Sequence, residues 1–296
     1  MTQTPCLICS GPSQDLFIAR DENRRISSAL FNYRRCLECG TVFLQDVPTD
    51  LRRYYQDEYY AIPTMAHLHA IAQKDRTKID TVKRYLTTGR LLEIGPAFGV
   101  FAYQAHLAGF AVDAIEMDAR CCEFLRSMVR VNAICSERPE EAIRSLAQHD
   151  VIALWHVFEH LPRPVAVLEA AAGNLAAGGI LIIALPNAEA LQFRIMGRRW
   201  PHLDAPRHIS LPPARQLTRL AGRCGLELIA LTTDDRDARG WNRFGWQRWL
   251  MNRFAGRPMQ WAMFFLGYLL SALLAPMDRL PGRGSAYTAV FRKPAS

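Results

Sequence analysis

Between Leu91 and Gly99 the chain reads LLEIGPAFG, an apolar run that ends on an acidic residue and then turns through two glycines. The stretch that follows, Val100 to Gly109, has a helical pattern. Strand, glycine turn and helix in that order let backbone N–H groups at the helix start approach a bound group closely, as in nucleotide-binding α/β units. A loop of this kind constrains the fold far more than it constrains the function, so its meaning depends on the flanking chain.

Downstream, short apolar runs alternate with helical stretches, which predicts a mostly parallel sheet covered by helices on both faces. The predicted strands are Leu91 to Ile94, Ala111 to Ile115, Val131 to Cys135, Asp150 to Leu154, Gly179 to Leu185 and Leu226 to Thr232. A helix over Ala214 to Cys224, stopped at Gly225, precedes the sixth. The second strand ends at Glu116 and Met117, where a carboxylate is placed to accept the two hydroxyls of a ribose. The loop spacing is G-x-x-x-G instead of the G-x-G-x-x-G of a pyrophosphate-binding turn, which argues against a nicotinamide dinucleotide.

Ahead of this core stand two C-x-x-C pairs, Cys6 with Cys9 and Cys36 with Cys39. Two tight turns carrying four thiolates complete the closed shell of a structural Zn2+ site, and strands over Leu16 to Ala19 and Leu30 to Arg35 would bring them together. No basic and apolar leader opens the chain, so disulfides are disfavoured and the cytosol is the expected compartment. The remaining cysteines, Cys121, Cys122, Cys135 and Cys224, read as core residues. The tyrosine-rich run Leu51 to Tyr60 reads equally as the wall of a ligand groove or as a linker packed on the next domain, and a helix is predicted from Ala66 to Leu86.

The motif set EIGPAFG, AIEMD, DVIALWHVFEHLPRP, LAAGGILIIALPN, DAPRHISL and GLELI resembles the class I S-adenosylmethionine-dependent methyltransferases. It is most similar to bacterial small-molecule enzymes of that class that carry an N-terminal four-cysteine zinc element. The resemblance implies a Rossmann-like seven-stranded α/β methyltransferase fold, with a zinc-ribbon-like element over residues 1–48, a helical linker or cap over 49–86, and the cofactor-binding core over 87–233. An apolar, aromatic helical insertion over 234–284 and a last strand over 285–296 complete the division. It also implies that Glu93, Gly95 and Gly99, with Ala97 in place of a middle glycine, wrap the methionine part of S-adenosylmethionine, and that Glu116 holds the ribose with Met117 beside it. Glu137 would lie near the adenine amine, and Leu154 and Trp155 would lie where cofactor and substrate meet.

The candidate chemistry lies past the fourth predicted strand. His156, Glu159 and His160 occupy WHVFEHLPRP, and a helix starting near Val157 would put His156 and His160 on one side, where an imidazole serves as general base. The bland alternative is that Glu159 and His160 only shape the loop. A second constellation, RRWPHLDAPRH, offers Trp200 to stack on a sugar ring, Arg207 to clamp an anionic group and His208 as a base, or else a loop pinned to the domain by Trp200 and His208.

From Ala190 onward 17 Lys/Arg face 6 Asp/Glu, so the C-terminal third carries about +11 and the remainder is slightly acidic, for a net charge of +8. A basic lobe suits an anionic partner or a membrane surface. Within it, Arg239 to Arg257 mixes arginines with aromatic residues, and Pro258 to Met277 holds 20 residues without a charge, enough to span a bilayer. A full span would strand the final strand, Ser285 to Arg292, which is expected to return antiparallel beside the sixth. Residues 239–277 therefore read as a contact with the inner face of the cytoplasmic membrane, a homodimer interface, or a lid. The leading function is O-methylation of a small-molecule or lipid-linked acceptor, a sugar or cell-envelope glycan hydroxyl. RNA methylation with a zinc ribbon and cofactor binding without turnover are the alternatives; nucleic acid is disfavoured because WHVFEH stands where an Asp/Asn-Pro-Pro-aromatic loop would be.

Overall fold

The computed structural model describes residues 4–55 and 61–295, and Tyr59 and Tyr60 of the tyrosine-rich run lie outside the described residues. The chain opens with β1 (Ser13–Ala19) and β2 (Phe31–Cys36), an antiparallel pair, followed by β3 (Val42–Leu44) against β2. Two helices follow, α1 (Met65–Lys74) and α2 (Thr77–Lys83), where a single helix is predicted. The break falls at Asp75, whose carboxylate accepts from both the backbone N–H and the hydroxyl of Thr77, an Asx-type turn that restarts the helix.

The core then alternates: β4 (Arg90–Ile94), α3 (Val100–Leu107), β5 (Ala111–Glu116), α4 (Ala119–Phe124), β6 (Asn132–Cys135), α5 (Pro139–Arg144), β7 (His149–Trp155), α6 (Pro164–Asn174) and β8 (Leu175–Pro186). After β8 come α7 (Leu191–Met196), the two-residue β9 (Ser210–Leu211), α8 (Ala214–Arg223) and β10 (Glu227–Thr232). A helical hairpin, α9 (Arg236–Met251) and α10 (Arg257–Asp278), leads to β11 (Ala286–Arg292). The main sheet has seven strands in the order β10-β11-β8-β7-β4-β5-β6. From β8 to β6 neighbours are parallel, while β11 lies between β8 and β10 and is antiparallel to both, as expected of the last strand.

Both faces of the central strands are buried, which is why those strands read as continuous apolar runs. Leu92, Ile94, Ile152 and Leu154 pack on one side with Val167, Leu168 and Leu220 from α6 and α8. Leu91, Val151, Ala153 and Trp155 pack on the other with Ile79, Val82 and Phe101 from α2 and α3. A third core fills the space between the N-terminal sheet and the segment after β8, with Tyr33, Tyr54, Trp200 and Trp246 at its centre.

Two connections shape the site. The N-terminal sheet is completed by β9, which pairs Ser210 and Leu211 with Phe43 and Val42 of β3. Consequently the cysteine element and the segment after β8 form one layer. Chain order reverses at β4, whose neighbours are β5 on one side and β7 on the other, so a crevice opens at their carboxyl ends.

Candidate active site

The crevice is a cavity of about 770 Å³ lined by the loop after β4, the ends of β5 and β7, and residues from Val47 to Tyr55. The loop itself needs left-handed backbone: Gly95, Ala97 and Gly99 have φ of 68°, 53° and 83°. At Gly95 a Cβ would also meet the side chain of Val157 at 2.6 Å, so glycine is required there twice over. The Gly95 N–H donates to the Ile115 carbonyl at 2.8 Å, fixing the turn to β5. Ala97 carries the strain of a non-glycine residue in this region, about 1 kcal/mol or more.

Glu116 ends β5 almost fully buried and accepts from the backbone N–H groups of Ala97 (2.9 Å), Met117 (2.7 Å) and Asp118 (3.0 Å). Its carboxylate is thereby held at the cavity wall. Glu93 is also buried and lines the cavity, but its Oε2 has no hydrogen-bond partner. Burial pushes its pKa up to about 7, against the pull of the Lys78 ammonium. Trp155, edge-on to Phe101 at 5.5 Å, forms the apolar wall, and Lys78 sits 5.5 Å over its ring. Met117 and Glu137 line the cavity too, although Glu137 is ion-paired to Arg52 across the opening. Leu154 is buried in the sheet core and Gly99 caps α3, so neither side of the wall is formed by them.

At the other end of the cavity stand His156 and His160. No α-helix begins at Val157: Phe158–His160 is a single 3-10 turn, and His156 sits in left-handed backbone at φ 57°. The two imidazoles reach one cavity by that turn and not by an i, i+4 spacing. His156 Nε2 lies 2.7 Å from Asp237 Oδ2, and the Trp241 indole N–H reaches the same carboxylate oxygen at 3.2 Å. The same indole N–H lies nearer still to His156 Nε2, at 2.8 Å, so imidazole, indole and carboxylate form one hydrogen-bonded cluster that holds the ring with Nδ1 on the side away from Asp237. His160 Nδ1 lies 2.9 Å from the Tyr55 hydroxyl and 3.0 Å from the Arg207 carbonyl. Burial pushes the His160 pKa down to about 4 and the His208 pKa well below its ordinary value, so both rings are neutral near pH 7. Glu159 is fully buried, and desolvation pushes its carboxyl up to about 8.

The second constellation lies elsewhere. Trp200 does not reach the cavity: it is buried in the third core, edge-on to Phe193 at 5.2 Å and His202 at 5.1 Å. Arg207 is completely buried, with Nη2 at 2.8 Å from both Asp21 and Asp204 and Nε at 2.7 Å from Asp204. Burial opposes the charge on Asp204, yet the Arg207 hydrogen bonds and charge hold it well below the usual carboxylate range. All of the guanidinium's reach is spent inside the protein, so it pins the segment after β8 to the N-terminal element and does not clamp a ligand. His208 is buried as well, its Nδ1 2.8 Å from the His202 carbonyl and its ring 4.5 Å from that of His160.

Three residues at the site escape sequence reasoning in detail, and a fourth, Tyr55, comes from the run read as a possible groove wall. Lys78, on α2, and Tyr55 line the cavity; Asp237 and Trp241, on α9, flank His156. The D-x-x-x-W spacing of the last two, one turn apart at the start of an aromatic helix, was the available signal.

Away from the cavity, the Sγ atoms of Cys6, Cys9, Cys36 and Cys39 lie within 4.8 Å of one another, with Cys6–Cys39 at 3.7 Å and Cys9–Cys36 at 3.4 Å. These separations far exceed a disulfide bond and match the edges of a tetrahedron with metal–sulfur bonds of about 2.3 Å. Arg215 of α8 donates to the Cys39 carbonyl, docking the knuckles on the core.

The fold and the crevice define an α/β protein with an open cavity at its strand reversal and a buried carboxylate, Glu116, held at the cavity wall. A methyltransferase-domain family model matches residues 44–231, and the chain belongs to that family. It is similar to the ubiquinone biosynthesis O-methyltransferases of Bordetella bronchiseptica and Bordetella pertussis, each 26% identical over 171 residues, which is 54% of this chain and 71% of the relative. Among solved structures, a SAM-dependent methyltransferase from Archaeoglobus fulgidus aligns with a TM-score of 0.51 at 14% identity, over 75% of this chain and 94% of that one. That last likeness concerns the fold.

The cavity suits S-adenosylmethionine, the methyl donor of the family. Glu93 Oε2 is a buried acceptor lacking a donor, matched to the cationic methionine end, and Glu116 presents a carboxylate already oriented by three backbone N–H groups, matched to a ribose diol.

Proposed function

We propose that the chain methylates a hydroxyl of a small or lipid-linked molecule, a sugar or cell-envelope glycan, at the inner face of the cytoplasmic membrane. The observation that carries this reading is the junction between cavity and hairpin. Asp237 and Trp241 of α9 contact His156, and α9 turns directly into α10, whose Trp261, Phe265, Leu269 and Leu273 are each more than 60% exposed. Among the described residues α10 is the one helix long and apolar enough to cross a membrane, yet both ends of the hairpin are tied to neighbouring strands of one sheet. Such a helix suits the interface, with its apolar face in the acyl boundary and the arginines of α9 near the headgroups. A lipid-linked acceptor held there would have its polar head at the cavity mouth. The O-methyltransferase names of the Bordetella relatives support oxygen as the acceptor atom.

S-adenosylmethionine supplies a methyl group on a positively charged sulfur, open to in-line displacement by an oxygen lone pair. Glu116 and Glu93 bind and orient the two ends of the cofactor, while Trp155, Phe101 and Phe98 exclude water. His156 takes the acceptor proton at Nδ1, with Asp237 holding the opposite nitrogen and stabilising the imidazolium that forms. Zinc at Cys6, Cys9, Cys36 and Cys39 is structural, since four thiolates leave no position for a substrate.

The test is transfer of labelled methyl from the cofactor to lipid extracts, polar metabolites and RNA. Label in the lipid or glycan fraction, lost in His156→Ala while cofactor affinity is kept, is the expected result. Label confined to RNA, or an undiminished rate in His156→Ala, overturns the reading.

A further inference from the structure

Beside the cavity, Glu159, His160 and His208 meet with their chemistry unspent. Glu159 is 0% exposed, and neither carboxylate oxygen has a hydrogen-bond partner. Buried carboxylates are ordinarily paired, hydrogen-bonded or bound to a metal. Its neighbour His160 shares the same 3-10 turn, and His208 arrives from the segment after β8, so that one ligand atom from each lies within 4.8 Å of the other two.

The imidazoles are held as metal ligands are held. His160 has Nδ1 against the Arg207 carbonyl at 3.0 Å, with the Tyr55 hydroxyl able to accept from the same N–H at 2.9 Å, and His208 has Nδ1 against the His202 carbonyl at 2.8 Å. An Nδ1–H donated to a carbonyl fixes the tautomer whose lone pair is at Nε2, the arrangement found behind metal-bound histidines. Both carbonyls belong to a segment clamped by the buried Arg207–Asp204–Asp21 triad, so the ring orientations are set by the fold. His156 adds to the group: with Nε2 turned to Asp237, its Nδ1 lies 3.8 Å from Glu159 Oε1.

We propose that Glu159, His160 and His208 form a second metal site, for a divalent first-row transition cation, beside the cavity that His156 and His160 line. Two imidazoles and one carboxylate are a borderline-soft set with coordination positions left over, unlike the oxygen shells of Mg2+ or Ca2+ and unlike the closed four-thiolate site. Resting on the methyl-transfer reading above, the ion holds the acceptor through an oxygen in one of those open positions, and His156 stands next to that oxygen to receive its proton. The acceptor class this favours carries neighbouring oxygens, such as a vicinal diol, which can occupy two positions at once.

Metal content separates this site from the cysteine site. The full chain equilibrated with Zn2+ is expected to hold two ions, falling to one in Glu159→Gln, His160→Ala and His208→Ala, with cofactor binding as the check that each variant is folded. Co2+ titrated into chain already carrying one Zn2+ is expected to show the weak visible bands of nitrogen and oxygen ligation without thiolate charge transfer. One ion in the saturated wild type, or two ions retained in Glu159→Gln, overturns the proposal; the Co2+ experiment on the wild type decides it even where a variant fails to fold. Two ions bound without methyl transfer to any fraction would keep the site and sink the function. Methyl transfer with one ion would do the reverse.

Discussion

Glu93 is a carboxyl whose surroundings are set for a partner that is positively charged. Because burial raises its pKa to about 7 in the cofactor-free chain, the folded state binds a proton there that the unfolded state, near its ordinary value, does not. Stability must therefore fall as pH rises from about 4.5 to 7, by roughly 3 kcal/mol from this residue. The slope is expected to shrink in Glu93→Gln by that share, read from chemical denaturation at each pH. Cofactor affinity should rise over the same range in the wild type and stay flat in Glu93→Gln; equal profiles would mean Glu93 does not meet the cationic end. The sequence locates this residue without revealing its state, since LLEIG marks a strand end but not the missing donor. Arg207 shows the opposite failure. An arginine in a loop rich in aromatic residues reads as a ligand clamp, and only the fold reveals that Asp21, 186 residues away, occupies it.

Among the elements, the α9–α10 hairpin is the least conventional addition to the core, and it depends on one close approach. At Gly267 of α10 a Cβ would come within 2.5 Å of the Gln247 Cα in α9, and the indole N–H of the adjacent Trp246 donates at 2.8 Å to the buried Asp278 at the C-terminal end of α10. Gly267→Leu is expected to push the helices apart and cost about 1–3 kcal/mol, as overpacking does. Thermal unfolding measures it, and an unchanged midpoint would mean the helices are not packed this closely. The apolar length of α10 and the return of β11 were legible beforehand, because hydropathy and strand pattern are local signals. The break of the predicted 66–86 helix at Asp75 and the 3-10 turn at Phe158–His160 were not, because two hydrogen bonds to one carboxylate and one left-handed residue decided them. Mean apolar periodicity carries neither.

For the molecule as a whole, the seven-stranded core follows from the strand and glycine pattern, whereas the joining of the cysteine element to β9 has no local signature. A two-residue strand far along the chain gives no periodicity to read. The consequence is mechanical: with Zn2+ at the four thiolates as proposed, its removal should loosen β9 and the His208 segment as well as the knuckles. Hydrogen exchange after chelation is expected to speed up in β1, β2, β3 and residues 208–211 while β4, β5 and β7 keep their protection; unaltered exchange at 208–211 would mean the layers are independent. The same pairing sets an order of events during synthesis. Leu44 leaves the ribosome 166 residues before Ser210. At typical elongation speeds the edge of β3 waits roughly 10–30 s for its partner. Through that interval Val42 and Phe43 present an open, apolar strand edge, and Zn2+ at the four thiolates, as proposed, would hold the young N-terminus in shape until the rest of the enzyme arrives.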